Sequence, residues 1–309
     1  MLSGISIVCF SASYTLALLL EVSRLFFRAP VRLVVILLLT AAGLGAHTIY
    51  LWNRAQSASP ELPLSTWYDW YLVAAWVLAA TYLGMLAVRP MTSVGVFALP
   101  MVLLLVAVAY AFQDVVPFPR DRALQSWGLV HGAMLLIGTV TVTFGFVAGV
   151  MYLVQSYRLK HKLPPREGLR LPSLEWLQTV NKQSLWYSAW FIALGLIAGI
   201  ILNAIKSSGE GPAVPWTDVA VISSAVLLFW LIAASLFEWL YKPAQQGRKV
   251  AYLTVASFVF LTIVMFILLT IPSKHARPRS AARSRHAPCV VANGRHTECV
   301  CYIAQEAIA

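Results

Sequence analysis

Trp127-Gly-Leu-Val-His131-Gly-Ala-Met-Leu-Leu136 opens an apolar run that continues without a helix breaker to Tyr157. A bilayer core of about 30 Å is crossed by roughly 20 helical residues, so this run is longer than one crossing requires. Its excess reads as a basic extension, Tyr157-Arg-Leu-Lys-His-Lys162. Gly128/Gly132 and Gly145/Gly149 stand four residues apart. Small residues at that spacing let helix backbones approach closely in lipid. His131 lies near the mouth of this span. An imidazole at that depth needs a bundle neighbour, a water-filled vestibule or a metal-bearing ligand as partner.

The rest of the chain repeats the same character. Of 309 residues, 60% are hydrophobic and 11% charged. Mean hydropathy is +0.75. Soluble domains hold about 45–50% apolar residues, so the composition excludes an ordinary globular enzyme and points to an all-α, polytopic membrane bundle. Eight spans are expected, at about 4–23, 31–52, 67–88, 94–112, 125–157, 184–205, 216–240 and 249–271. The first has no basic leader or clear cleavage site and reads as a retained span. Pro100 predicts a kink in the fourth span. Leu163 to Ser184 reads as an interfacial connector, with Leu171-Pro-Ser-Leu-Glu175 starting a helix and Ser173 as its cap. Residues 1–273 thus form one transmembrane domain. Residues 274–309, basic and poor in apolar side chains, form a tail expected to be disordered.

The charge of +11 gives topology rather than nucleic-acid binding. If the loops alternate sides, one set carries Arg24, Arg28, Arg32, Arg89, Arg158, Lys160, Lys162, Arg166, Arg170, Lys182, Lys242, Arg248 and Lys249. The other, tail apart, carries Arg54, Arg120, Arg122 and Lys206. The positive-inside rule places the first set in the cytoplasm, in a plasma (inner) membrane. His131, His47, the Trp216-Thr-Asp218 turn and His275 then gather at the outer face. The six basic residues of the tail oppose this assignment, but charges far from a span count less.

Several segments, in order, resemble the cytochrome c assembly superfamily, specifically its CcsA/HemX-type membrane proteins. They are Ala46-His-Thr-Ile-Tyr-Leu51, Pro63-Leu-Ser-Thr-Trp-Tyr-Asp-Trp70, Trp127-Gly-Leu-Val-His131, Leu171-Pro-Ser-Leu-Glu-Trp-Leu177 with Gly195-Leu-Ile-Ala-Gly199, and Gly247-Arg-Lys-Val-Ala-Tyr-Leu253. The resemblance implies haem, b-type in its binding, presented at the outer face and passed to apocytochrome c with a partner assembly subunit. It implies His131 as one flanking iron ligand and His275 as the second. The family's tryptophan-rich loop is reduced here to Trp216 and Asp218. The alternative is therefore a HemX-like adaptor, linked to haem biosynthesis without transferring haem, that acts through the basic 158–182 segment.

Each residue also has a plainer reading. His131 can bridge two helices by a hydrogen bond. His47 can donate to a carbonyl at the interface, and His275 can be solvated. Trp216, Trp67 and Trp70 suit an aromatic belt as well as a porphyrin wall. Asp218 can cap a helix. Glu21, Asp69 and Glu238 are expected in ion pairs, Glu21 with Arg24 and Glu238 with Lys242. Cys9 reads as a span filler, and Cys289, Cys299 and Cys301 lie in the tail without zinc-type spacing. No Ser-His-Asp set, paired catalytic carboxylates or phosphate loop is present, and whether the protein is an enzyme stays open. A solute transporter would show an inverted repeat, which the chain lacks.

Overall fold

The computed structural model describes residues 6–26, 31–57, 66–90, 92–113, 125–162, 171–208, 215–240 and 248–270. Eight helices account for them: α1 (Ile7–Ser23), α2 (Arg32–Ser57), α3 (Trp67–Val88), α4 (Gly95–Ala111), α5 (Gln125–Lys160), α6 (Leu174–Ser208), α7 (Val219–Leu240) and α8 (Arg248–Thr270). Six are long and apolar enough to cross a bilayer. The other two, α1 and α4, have 17 residues each. At 1.5 Å per residue they reach about 26 Å, slightly less than the hydrocarbon core.

Local chemistry sets where the helices begin. Thr66 and Asp69 form a capping box at α3: the Asp69 N–H donates to Thr66 Oγ1, and the Asp69 carboxylate accepts from the Thr66 N–H. Ser173 caps α6, its Oγ accepting from the Trp176 N–H at 3.3 Å. The α6 helix corrects the expected connector. Residues 174–184 are not an interfacial linker but the first turns of one 35-residue helix. Nothing between Leu174 and Ser208 breaks a helix, so the cap rather than the edge of the apolar run decides the start. Pro100 lies inside α4, as expected.

Neighbouring helices run antiparallel. Phe10 meets His47 while Tyr14 meets Gly43, which orients α1 against α2. Trp76 donates to Thr48 while Arg54 pairs with Asp69, which orients α2 against α3. On α5 and α6, His131, Leu135, Gly138 and Gly145 meet Gly199, Gly195, Ile192 and Ser184 in turn. The contacts fall into two four-helix groups, α1–α4 and α5–α8, joined by α3 and α4 packing on α5. The larger apolar core fills the first group and reaches Val147, Ala148, Met151 and Leu177 of α5 and α6. A second core, around Ile192, Leu227, Leu231 and Leu261, fills the other.

Polar groups inside the bundle are mostly satisfied, as lipid requires. Thr40, Thr139, Thr143 and Ser257 donate to carbonyls one turn back. Thr254 Oγ1 lies 3.1 Å from Asn181 Oδ1, and Trp230 Nε1 donates to Ser257 Oγ. Glu21 accepts from the Tyr82 hydroxyl at 2.9 Å and lies 3.8 Å from Arg24, the expected partner. Glu238 pairs with Lys182 at 2.9 Å. Lys242, its expected partner, lies outside the described residues. Among the described residues, the cation that meets Glu238 comes from α6 and not from its own helix.

Candidate functional site

The alternation of the helices brings one end of each to each end of the bundle. One end collects the start of α1, α3, α5 and α7 and the close of α2, α4, α6 and α8. His47, Trp67, Asp69, Trp70, His131, Trp216 and Asp218 all belong there. The other end collects Arg24, Arg89, Arg158, Lys160, Lys182 and Arg248.

His131 is held between α5 and α6. Its Nδ1 lies 2.6 Å from the Gly195 carbonyl oxygen. A carbonyl only accepts, so Nδ1 carries the proton and donates it. The other ring nitrogen, Nε2, is then the one with a lone pair. Glycine makes this possible. A Cβ at Gly199 would stand 2.8 Å from His131 Cε1 and Nδ1, and one at Gly195 would stand 2.7 Å from Leu135 Cδ2. The imidazole thus occupies room that a larger residue at Gly199 would take, and Leu135 occupies the room beside Gly195. Trp127, half-exposed, precedes His131 by four residues and so shares its face of α5.

The remaining expected residues divide. Trp70 packs on α5 one position from the histidine, where a Cβ at Gly132 would meet its Cη2 at 2.5 Å. Trp67 packs in tilted fashion on Tyr71, which stacks in turn on Phe112. Trp216 is exposed. Asp218 is buried at the start of α7, where its carboxylate accepts from the Ala220 N–H at 2.9 Å. It therefore acts as a helix cap. Asp69 is likewise engaged, by Arg54, whose guanidinium also lies 4.4 Å over the Tyr68 ring. His275 lies outside the described residues, as do the tail cysteines.

His47 is at the same end but in a different setting. It is fully buried and stacks flat on Phe10, ring centroids 4.1 Å apart and planes within 1°. Tyr14 Oη lies 3.4 Å from its Nδ1, while its Nε2 is buried without a partner. The expected carbonyl partner is absent among the described residues. All these contacts belong to α1, so His47 is not brought against His131. Sequence reasoning also passed over Gly195 and Gly199 as parts of the site. Their four-residue spacing was visible, but only the structure shows that they face the histidine.

An imidazole fixed by a backbone carbonyl through Nδ1 is oriented to coordinate iron through Nε2, and the hydrogen bond makes that nitrogen more basic. No cluster of three or more His, Cys, Asp or Glu side chains occurs among the described residues. With Nδ1 engaged, Nε2 is the ring nitrogen left to meet a ligand.

The fold and this end-on site define a polytopic helical membrane protein with a half-buried histidine between glycine-bearing helices. Its sequence matches the family model "Cytochrome C assembly protein" over residues 64–273. The chain belongs to that family, and the membership supports a role in cytochrome c biogenesis. No curated protein and no solved structure matches it significantly.

Proposed function

We propose that the protein binds b-type haem at the His131 end of the bundle and holds it for the maturation of c-type cytochromes. One observation carries the reading: His131 Nδ1–H donates to the Gly195 carbonyl, which leaves the lone pair on Nε2 of a ring packed against Gly199. Family membership supplies the context of cytochrome c assembly. His131 orients the iron, Gly195 fixes the tautomer, and Trp127 covers one side. Trp216 and Trp67 stand at the same end as further apolar walls, Asp218 shapes the turn carrying Trp216, and His275 is the second ligand. The haem brings the group that the client cytochrome will carry, and the protein supplies position and shielding.

The basic end of the bundle faces the cytoplasm in this reading, and the His131 end faces outward from the plasma membrane. Apocytochrome c, or an assembly subunit that holds it, meets the protein there. The visible spectrum of the detergent-purified protein tests the proposal beside His131→Ala. The expected result is a Soret band with split reduced bands, reduced at least tenfold in the variant. A band that persists in the variant would move the ligand elsewhere, with His47 and His275 next in line. No haem in either protein, even after haemin is added, would overturn the reading in favour of a HemX-like adaptor.

A further inference from the structure

The basic end of the bundle carries a groove that the haem site does not use. It lies between the last turns of α5 and the first turns of α8 and encloses about 480 Å³. Arg158, Lys160, His161 and Arg248 line one part of it, and Leu153, Val154 and Tyr252 the other. Among the described residues, no carboxylate lines it.

The two parts lie at different depths. Leu153 and Val154 precede the cationic residues of α5 by one to two turns, about 6–12 Å along the axis. Tyr252 lies one turn inside Arg248 on α8. The groove is thus apolar toward the middle of the bundle and cationic toward its end. It also opens sideways. Tyr252, Val259, Ile263 and Phe266 are exposed and recur at helical spacing on one face of α8. On a membrane span such a stripe faces acyl chains.

The cationic part is set in advance. Arg248 donates from Nε to Ser156 Oγ at 2.7 Å and from a terminal nitrogen to the Ser156 carbonyl at 3.3 Å. A guanidinium carries five N–H donors, so this anchoring leaves others for a second acceptor. The His161 ring packs against Tyr157, centroids 4.3 Å apart. Arg248 is also the first residue of α8, where the helix dipole favours negative charge.

We infer that this groove is a binding site for an anionic phospholipid, its phosphate at the cationic end and its first acyl carbons against Leu153, Val154 and Tyr252. A free phosphate would match only the cationic half. A zwitterionic lipid would match the apolar half and gain less from the cations. Basic pockets between transmembrane helices near the interface bind anionic headgroups on these grounds.

Native mass spectrometry of the full chain in detergent tests this, with phosphatidylglycerol and phosphatidylcholine titrated separately. The expected result is selective retention of phosphatidylglycerol. Lys160→Gln/His161→Gln, at two exposed positions, should weaken it about five- to tenfold. Equal retention of the two lipids by the unaltered protein would overturn the proposal whatever the variant does. So would unchanged phosphatidylglycerol binding by a variant that melts like the unaltered protein. Release of the lipid by millimolar inorganic phosphate would point to a simple anion site instead. Its replacement by haemin, with a Soret band, would point to a porphyrin.

Discussion

The two four-helix groups each hold one histidine at the same end of the bundle, and they treat it in opposite ways. In α1–α4, His47 is sealed by Phe10 and Tyr14 and reaches nothing outside. In α5–α8, His131 is tethered through one nitrogen, left half-buried and packed against Gly199. Residue type and end of the bundle are the same, so neither separates the two. What differs is the surrounding helix face, aromatic in one group and glycine-bearing in the other. An aromatic wall encloses a histidine as core, whereas a glycine wall makes the room in which the ring itself sits.

The contrast is broken most severely by filling the second group's glycines. Gly145 on α5 lies so close to Ser184 and Thr254 that a side chain there has no room. Gly145→Leu should cost about 3 kcal/mol, or prevent assembly, read as a large drop in the detergent melting temperature. A variant that melts within a degree of the unaltered protein would show that the close approach of α5, α6 and α8 is not what holds this half together.

A middle-sized effect sharpens the first group's side of the comparison. His47→Ala should lower stability by about 2 kcal/mol, because it leaves a cavity beside Phe10. His47→Phe should recover most of that loss, because it keeps the stack and removes the buried, unpartnered Nε2. Urea or guanidinium unfolding followed by tryptophan fluorescence would separate them. If both substitutions also erased a haem spectrum, the division between a structural and a functional histidine would fail. The smallest effect is at Gly84 on α3, where an added Cβ would meet nothing within 4 Å. Gly84→Ala should raise stability by about 0.5 kcal/mol through helix propensity, a shift that careful thermal melts by circular dichroism can resolve.

Much of the fold was legible because lipid makes apolar length a direct signal of a span. Trp67–Val88 was read to the residue, and α5, α7 and α8 within a few. The helix start at Ser173 was legible, but its continuity with the sixth span was not, because polar residues such as Gln178, Asn181 and Lys182 interrupt the apolar run when hydrophobicity alone is weighed. The site was half legible. His131 stood out by its place at a span mouth, but its tether on Gly195 is a contact across 64 residues of chain that no local pattern encodes. Asp218 and His47 were each read with two meanings. The structure adds a cap contact to the first and a ring stack to the second. The Gly128/Gly132 pair shows the limit of spacing arguments: Gly132 touches Trp70, while Gly128 has nothing within 4 Å.

The pairing of α5 with α6 has a further implication for how this chain can vary. His131, Leu135, Gly138 and Gly145 meet their partners on α6 in strict reverse order. A single residue inserted between Ser188 and Gly195 would turn everything beyond it by about 100°. Gly195 would then present its carbonyl away from the imidazole, although every residue of the site was still present. The histidine's chemistry is thus stored in the count of residues along two helices. Lipid-facing side chains can drift freely so long as that count is kept.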